Sequence, residues 1–376
     1  MFTDTPANDA RPSPAAPPAF TGRGEIAGRS WWRSDDDEVP WAPPTPDRVL
    51  ARGHPAGYEA GTELVEAVNT ALILGRPLLV TGRPGTGKTE LAERIAYELN
   101  LGAVQRFESQ SLSEANELFY RYDYIQQMVV AKLVELQRAE PHEADPLRFI
   151  TFGALGRAIL HSAPERFADL LGLPPGSTPP PARRSVVLID EIDKTSRDFP
   201  NDLLNGIDRM RFELRELGNR AVQGAGRDSP LHPVVVITSN SERDLPAPFL
   251  RRCVFVQIPD PDEGQLALIV AKRVFDGKPP PAPLAANGLP PLYAQLLSAF
   301  VELRDQGRLR YQIGTSELLE ISLAAQRQQL GLPGGAQGAA AMLGLQSAIG
   351  AMAKHQDDRE PILGALQQHL VPGTGA

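Results

Sequence analysis

Cysteine is nearly absent: Cys253 is the single one in 376 residues. One thiol cannot close an internal disulfide, and a zinc site built from cysteines is excluded with it. Such usage suits a reducing compartment. Basic charge is also in short supply, with 38 lysines and arginines against 46 aspartates and glutamates, a formal net charge of −8. No basic, aromatic-interleaved run offsets that deficit, so the electrostatic footprint of general nucleic-acid binding is missing and none is expected. No apolar stretch approaches the about 20 residues that span a bilayer, which excludes a membrane-spanning role. The opening Met1-Phe2-Thr3-Asp4 lacks a basic region leading into an apolar run, so no signal peptide is read and a cytoplasmic location is expected.

What is present is the composition of a folded protein, 42% hydrophobic and 22% charged, in a chain long enough for one large or two modest domains. Four segments are expected. Residues 1–50 form a proline- and alanine-rich tail, as in Arg11-Pro12-Ser13-Pro14-Ala15-Ala16-Pro17-Pro18, followed by the acidic Asp35-Asp36-Asp37-Glu38. Such a segment cannot bury enough apolar surface to offset its ordering entropy. Trp31-Trp32 inside it is read either as a docking element or as a local collapse without a partner.

Residues 51–261 read as an α/β domain. Helical spacing over 63–72 precedes a short buried strand at 77–81 and a helix over 90–99. Continuous apolar runs at 185–189, 233–238 and 254–258 read as parallel-sheet strands, with helical patterning between them at 128–137 and 155–160 and a surface excursion at the prolines of 174–181. The fold class is therefore a doubly wound parallel sheet. Residues 262–330 carry helices at 266–275, 292–305 and 316–329 and form a helical lid domain. Residues 331–376 read as a glycine- and alanine-rich helical tail.

The chemistry centres on Gly82-Arg83-Pro84-Gly85-Thr86-Gly87-Lys88-Thr89, followed by Glu90. This is a full P-loop pattern between a strand and a helix. Glycines let the backbone amides converge on phosphates, and the helix N-terminus adds positive potential. Lys88 is expected to reach the β- and γ-phosphates of ATP and Thr89 to place its hydroxyl on Mg²⁺. Downstream, Val186-Val187-Leu188-Ile189-Asp190-Glu191 delivers two carboxylates at the C-terminal end of an apolar strand, the edge where α/β sheets bind ligands. Asp190 is assigned to Mg²⁺, and Glu191 to orienting and deprotonating the attacking water.

Val186–Lys194, reading VVLIDEIDK, resembles the Walker B segment of AAA+ ATPases, and more narrowly of their MoxR-like branch. Phe152-Gly153-Ala154-Leu155-Gly156-Arg157-Ala158, Phe199-Pro200-Asn201-Asp202-Leu203-Leu204-Asn205 and Thr238-Ser239-Asn240-Ser241-Glu242 are similar to further segments of that branch. The resemblance spans about residues 58–329. It implies an ATPase with Asn240 as the polar sensor that holds the lytic water or γ-phosphate, the alternative being an Asx-turn that closes the strand. It also implies an arginine finger acting on the neighbouring subunit from Leu245-Pro246-Ala247-Pro248-Phe249-Leu250-Arg251-Arg252. Arg252 is the first choice and Arg251 the second, with a surface ion pair as the alternative role. At the second sensor this chain departs from the branch: Gly314-Thr315-Ser316-Glu317-Leu318 lacks the arginine, and no spacing assigns Arg308 or Arg310 to replace it. Leu118-Phe119-Tyr120-Arg121-Tyr122-Asp123-Tyr124 reads either as a gripping or contact element or as core.

The resemblance implies a homo-oligomer, a hexameric ring, in which hydrolysis drives chaperone-like remodelling of a protein client, with a von Willebrand factor A domain protein as a partner. Two other classes compete, a nucleic-acid-linked motor and a slow nucleotide-switched scaffold in defence or signalling. The −8 charge argues against the first, and the missing second-sensor arginine leaves the second open.

Overall fold

The computed structural model describes residues 55–240, 243–275, 278–330, 344–346 and 349–370. The 1–50 tail with Trp31-Trp32, Ser241 and Glu242, and residues 331–343 lie outside the described residues. The described strands are β1 Leu78–Thr81, β2 Gln105–Glu108, β3 Tyr120–Tyr122, β4 Ile150–Phe152, β5 Val186–Asp190, β6 Arg211–Leu214, β7 Arg220–Gln223, β8 Val234–Ser239 and β9 Val254–Gln257. The helices are α1 Thr62–Leu74, α2 Lys88–Glu98, α3 Tyr124–Glu135, α4 Ala154–His161, α5 Phe199–Arg209, α6 Ala247–Leu250, α7 Glu263–Val274, α8 Pro291–Gln306, α9 Thr315–Arg327, α10 Ile349–Met352 and α11 Arg359–Leu370. None is long and apolar enough to cross a membrane, among the described residues.

Five strands form one parallel sheet in the order β2-β5-β8-β1-β9. The central strands β1 and β8 are buried along their whole length, and β5 up to its final Asp190. That is why they read as uninterrupted apolar runs. Alternate side chains enter two cores. Leu78, Val80, Val186, Leu188 and Val236 pack with α1 and α2 on one face. Leu79, Val187, Ile189, Val235 and Ile237 pack with α4 and α5 on the other. α1 buries Leu64, Val68 and Ala71 and stops at Gly75, whose φ of 56° is left-handed. The edge strand β2 is different. Only Phe107 of Gln105-Arg106-Phe107-Glu108 is buried, so four mostly polar residues gave no apolar run to detect.

Two antiparallel hairpins, β3–β4 and β6–β7, were not legible either. The first carries α3 between its strands. They divide the aromatic stretch ahead of α3. Leu118, Phe119 and Tyr120 are buried, whereas Tyr124 is 58% exposed, so the first part of that stretch is core and its end faces outward. This segment fits because three glycines face it: a Cβ on Gly156 would stand 1.9 Å from the Phe119 carbonyl oxygen, one on Gly153 would meet the carbonyls of Glu117 and Leu118, and one on Gly206 would lie 2.1 Å from the Phe119 ring. Tyr120 and Tyr124 hydroxyls both donate to Glu216 beside β6, joining the hairpins.

After β9 the chain is helical, as expected. α7 starts at a reciprocal cap between Asp262 and Gln265. Leu266, Val270, Leu296, Phe300, Leu318 and Ile321 build the lid core, and Leu345, Ile349, Met352, Ile362, Leu366 and Leu370 belong to that same core. A division at residue 330 therefore does not separate two packed units: the segment set apart as a C-terminal tail supplies part of the lid interior. The helical reading of this segment agrees with α10 and α11; its packing into the lid was not legible.

Candidate nucleotide site

The site lies at the C-terminal ends of β1, β5 and β8, between the sheet and the lid. The phosphate loop leaves β1 at Gly82, where φ is 150° and a Cβ would come within 2.8 Å of the Ile258 carbonyl. Gly87, at φ 85°, is the N-cap from which α2 begins at Lys88. Only glycine adopts these conformations at low cost in such close quarters. Lys88 is buried, and its Nζ donates to the carbonyls of Gly82 and Arg83, both at 2.8 Å. Burial lowers its proton affinity below the ordinary lysine range, while Asp190, Asp193 and Glu191 oppose that shift.

Thr89 follows on the first turn of α2 and donates its hydroxyl to Asp190, 3.1 Å from each carboxylate oxygen. Thr238, on the neighbouring β8, donates to Asp190 Oδ1 at 2.5 Å and accepts the Glu191 amide at 2.8 Å. A hydroxyl and a carboxylate at this spacing are hard oxygen donors that fit Mg²⁺, which takes one or two protein oxygens and completes its shell with phosphates and water. Among the described residues no cluster of three or more His, Cys, Asp or Glu offers an all-protein metal cage.

Glu191 adopts φ 55°, ψ 51°, a left-handed conformation uncommon for a side-chain-bearing residue. This turn carries its carboxylate away from the strand axis. Asn240 Nδ2 donates to Oε1 at 3.1 Å and Lys194 Nζ to Oε2 at 2.5 Å. These donors, Lys194 foremost, hold the carboxyl below its usual range. The Asn240 backbone N–H donates in turn to the buried Asp193 carboxylate, 3.1 Å from Oδ2. The Asn240 side chain is thus directed at Glu191 rather than folded onto its own backbone.

A pocket of about 490 Å³ collects these groups. Pro84, Gly85, Thr86, Gly87, Lys88, Thr89 and Glu90 line it from the loop, Asp190, Glu191, Thr238 and Asn240 from the sheet, and Tyr58, Leu268, Ile269, Arg273 and Ser316 from its other walls. Gly82 and Arg83 do not line it. Gly82 serves through its carbonyl on Lys88, and the Arg83 guanidinium turns outward to Asp260 at 3.0 Å and Gln312 at 3.1 Å. The start of α9 overlies the loop, with Ser316 Oγ 3.0 Å from where a Gly85 Cβ would be. Neither Arg308 nor Arg310 reaches the pocket, and Arg310 is engaged by His355 and Asp357. Tyr58, Thr238, Lys194 and Arg273 were not singled out from sequence. Thr238 alone carried a signal, standing two residues before Asn240 near the C-terminal end of β8.

Arg251 and Arg252 stand apart from these groups. They follow α6 and precede β9, whereas the loop follows the other end of the parallel neighbour β1. A four-residue strand separates the two edges by roughly 13 Å, so neither guanidinium serves the pocket of its own chain. Arg252 donates to Asp208 at 2.9 Å and to the Pro248 carbonyl at 3.1 Å. Arg251 is exposed and makes no side-chain hydrogen bond or ion pair among the described residues.

Residues 77–253 match the family model of the AAA domain of the dynein-related subfamily. The match runs from the residue before β1 to the residue before β9, taking in the loop, Asp190, Glu191 and Asn240. No curated protein matches the chain. Sheet order, pocket and match together fit the P-loop AAA+ α/β fold with a helical region after it.

Proposed function

We propose that the protein hydrolyses ATP with Mg²⁺ at subunit interfaces and uses the energy to remodel a protein client, in the manner of the MoxR-like ATPases it resembles. The observation that carries the reading is the 3.1 Å contact of Asn240 with Glu191 in the pocket that also holds Lys88. Bound Mg·ATP supplies a γ-phosphoryl group whose charge is already partly neutralised. Lys88 leaves the loop carbonyls to meet the β- and γ-phosphates, and the loop amides cradle the chain of phosphates. Thr89 and Asp190 hold the metal side, with Thr238 fixing Asp190. Glu191 accepts the proton of the attacking water while Asn240 keeps its carboxylate aimed.

Arg251 and Arg252 lie too far from this pocket to act within their own chain, which supports a trans-acting finger and hence a ring. Arg251 is the better placed of the two, because Arg252 is held by Asp208. A client protein, with a von Willebrand factor A domain protein as one partner to try, fits the acidic chain better than nucleic acid does. Turnover by the full chain, alone and with DNA, RNA or candidate clients, tests the reading. Mg²⁺-dependent turnover that a client raises and nucleic acid does not is the expected result. Stimulation by DNA or RNA would transfer the assignment to a nucleic-acid motor. Tight ATP binding without turnover would make the protein a nucleotide-switched scaffold.

A further inference from the structure

The pocket wall carries five carboxylates, Glu59, Glu63, Glu90, Asp190 and Glu191, and among the described residues only two cations. A polyphosphate entering such a wall needs positive charge at both ends. Lys88 and a metal on Thr89 and Asp190 provide it at the hydrolytic end. The second cation, Arg273, comes from α7 of the lid, and its side chain is only 9% exposed.

Its position can be read from its neighbours. The Arg273 guanidinium lies 3.4 Å from the Glu90 carboxylate, and Glu90 directly follows Thr89 on the first turn of α2. A Cβ on Gly87 would stand 3.0 Å from the Tyr58 ring and 3.6 Å from that same carboxylate. Burial and the Glu90 charge push the Tyr58 phenol well above its usual range, and Arg273 opposes them. Arg273, Glu90 and Tyr58 therefore meet beside the N-terminus of α2. The γ end of the site is assigned to Asp190, Glu191 and Asn240, which are joined to Thr89 and to one another at the ends of β5 and β8. The apolar Leu268 and Ile269, on the same helix as Arg273, line the same pocket.

We propose that Arg273 is a nucleotide ligand: on binding it shifts from Glu90 to the α-phosphate, and so ties lid helix α7 to the phosphate loop. This rests on the ATP-binding reading above. A guanidinium suits the task, since its planar fork meets two phosphate oxygens at once. Because the α-phosphate is common to ATP and ADP, Arg273 holds the lid down in both states and does not sense the γ-phosphate. The lid of this chain thus gains its phosphate contact from its first helix, where the start of α9 offers Thr315 and Ser316 instead of an arginine.

The test is the affinity of the full chain for ATP and for ADP by calorimetry. Arg273→Met keeps the buried stem and removes the charge; it should weaken both nucleotides by the same factor, about ten- to a hundredfold, the usual scale of a charge-assisted hydrogen bond. Arg273→Lys, which keeps a point charge, should recover part of the loss. Glu90→Gln should act in the opposite direction, tightening both nucleotides by up to about fivefold, as it releases Arg273 from a partly exposed pair. Unchanged affinity in Arg273→Met overturns the proposal, as does a loss confined to ATP. Equal weakening by Arg273→Met and Glu90→Gln also overturns it, since the ion pair alone would then be what matters. A wild-type chain that binds neither nucleotide, with Lys88→Ala no different from it, takes down the ATP reading itself.

Discussion

The Thr238 hydroxyl donates to Asp190 Oδ1 at 2.5 Å while accepting the Glu191 amide at 2.8 Å. One buried side chain on β8 thus holds the Asp190 carboxylate and the backbone of Glu191 at the end of β5, the two residues to which the metal and proton chemistry is assigned. Its burial is complete, so water cannot replace the hydroxyl when it is removed.

Thr238→Val should therefore weaken both functions at once. The Mg²⁺ concentration for half-maximal turnover should rise, and turnover fall, by about 10–100-fold, the scale typical of groups that orient metal ligands. Thr238→Ser should retain most of the activity. A metal titration of turnover in the two variants checks this, and wild-type behaviour in Thr238→Val would contradict it.

Arg251 and Arg252 make a prediction about assembly. Removing both should leave ATP binding through Lys88 and Thr89 intact while lowering turnover by about 10³–10⁵, the scale of an arginine finger. Mixing this variant with wild type should depress activity more than dilution does, because hybrid rings contain crippled interfaces. Arg251→Ala alone should cost more than Arg252→Ala. Concentration-independent activity of an isolated monomer would contradict the ring.

Gly156 offers a test of packing. A methyl group there points into the Phe119 carbonyl at 1.9 Å, and a backbone oxygen held in the β3 approach cannot swing aside as a side chain would. Gly156→Ala should destabilise the fold by about 3 kcal/mol, the upper part of the range for overpacking. Denaturant unfolding measures it, and a midpoint shift near zero would show that the Phe119 segment yields.

His161 gives the fold a pH dependence. Burial first, then the neighbouring Arg183 and Arg157 charges, lower its pKa from 6.5 to about 4. Between those values the unfolded chain binds a proton that the folded chain refuses, so stability rises with pH. The contribution is fully present above about 6.5 and is lost as pH falls toward about 4. Thermal unfolding at pH 7.5 and pH 5 should therefore show a loss on acidification that His161→Gln reduces.

Much of the site was legible because its residues have few other uses in such an order. Lys88 and Thr89 open α2 behind a glycine-rich loop, Asp190 and Glu191 close an apolar strand, and apolar runs at β1, β5 and β8 announce strands buried on both faces. What stayed hidden depends on contacts between distant segments. β2 is too short and polar to signal a strand, and α10 and α11 join the lid core across a glycine-rich stretch. Nothing local distinguishes Arg273 from any arginine near a helix end; only the packing of α7 on Tyr58 and Glu90 gives it a place. Arg252 shows the converse, since the motif ranks it first but Asp208 engages it.

The central claim is that Glu191 performs chemistry in the pocket that Lys88 makes competent for ATP. Binding and turnover of ATP measured side by side on Glu191→Gln test it most directly, with Lys88→Ala as the reference for an empty pocket. Glu191→Gln should bind ATP as wild type does and turn it over at least about 10²-fold more slowly, whereas Lys88→Ala should not bind it. Undiminished turnover in Glu191→Gln would contradict the account and move the catalytic base to another residue.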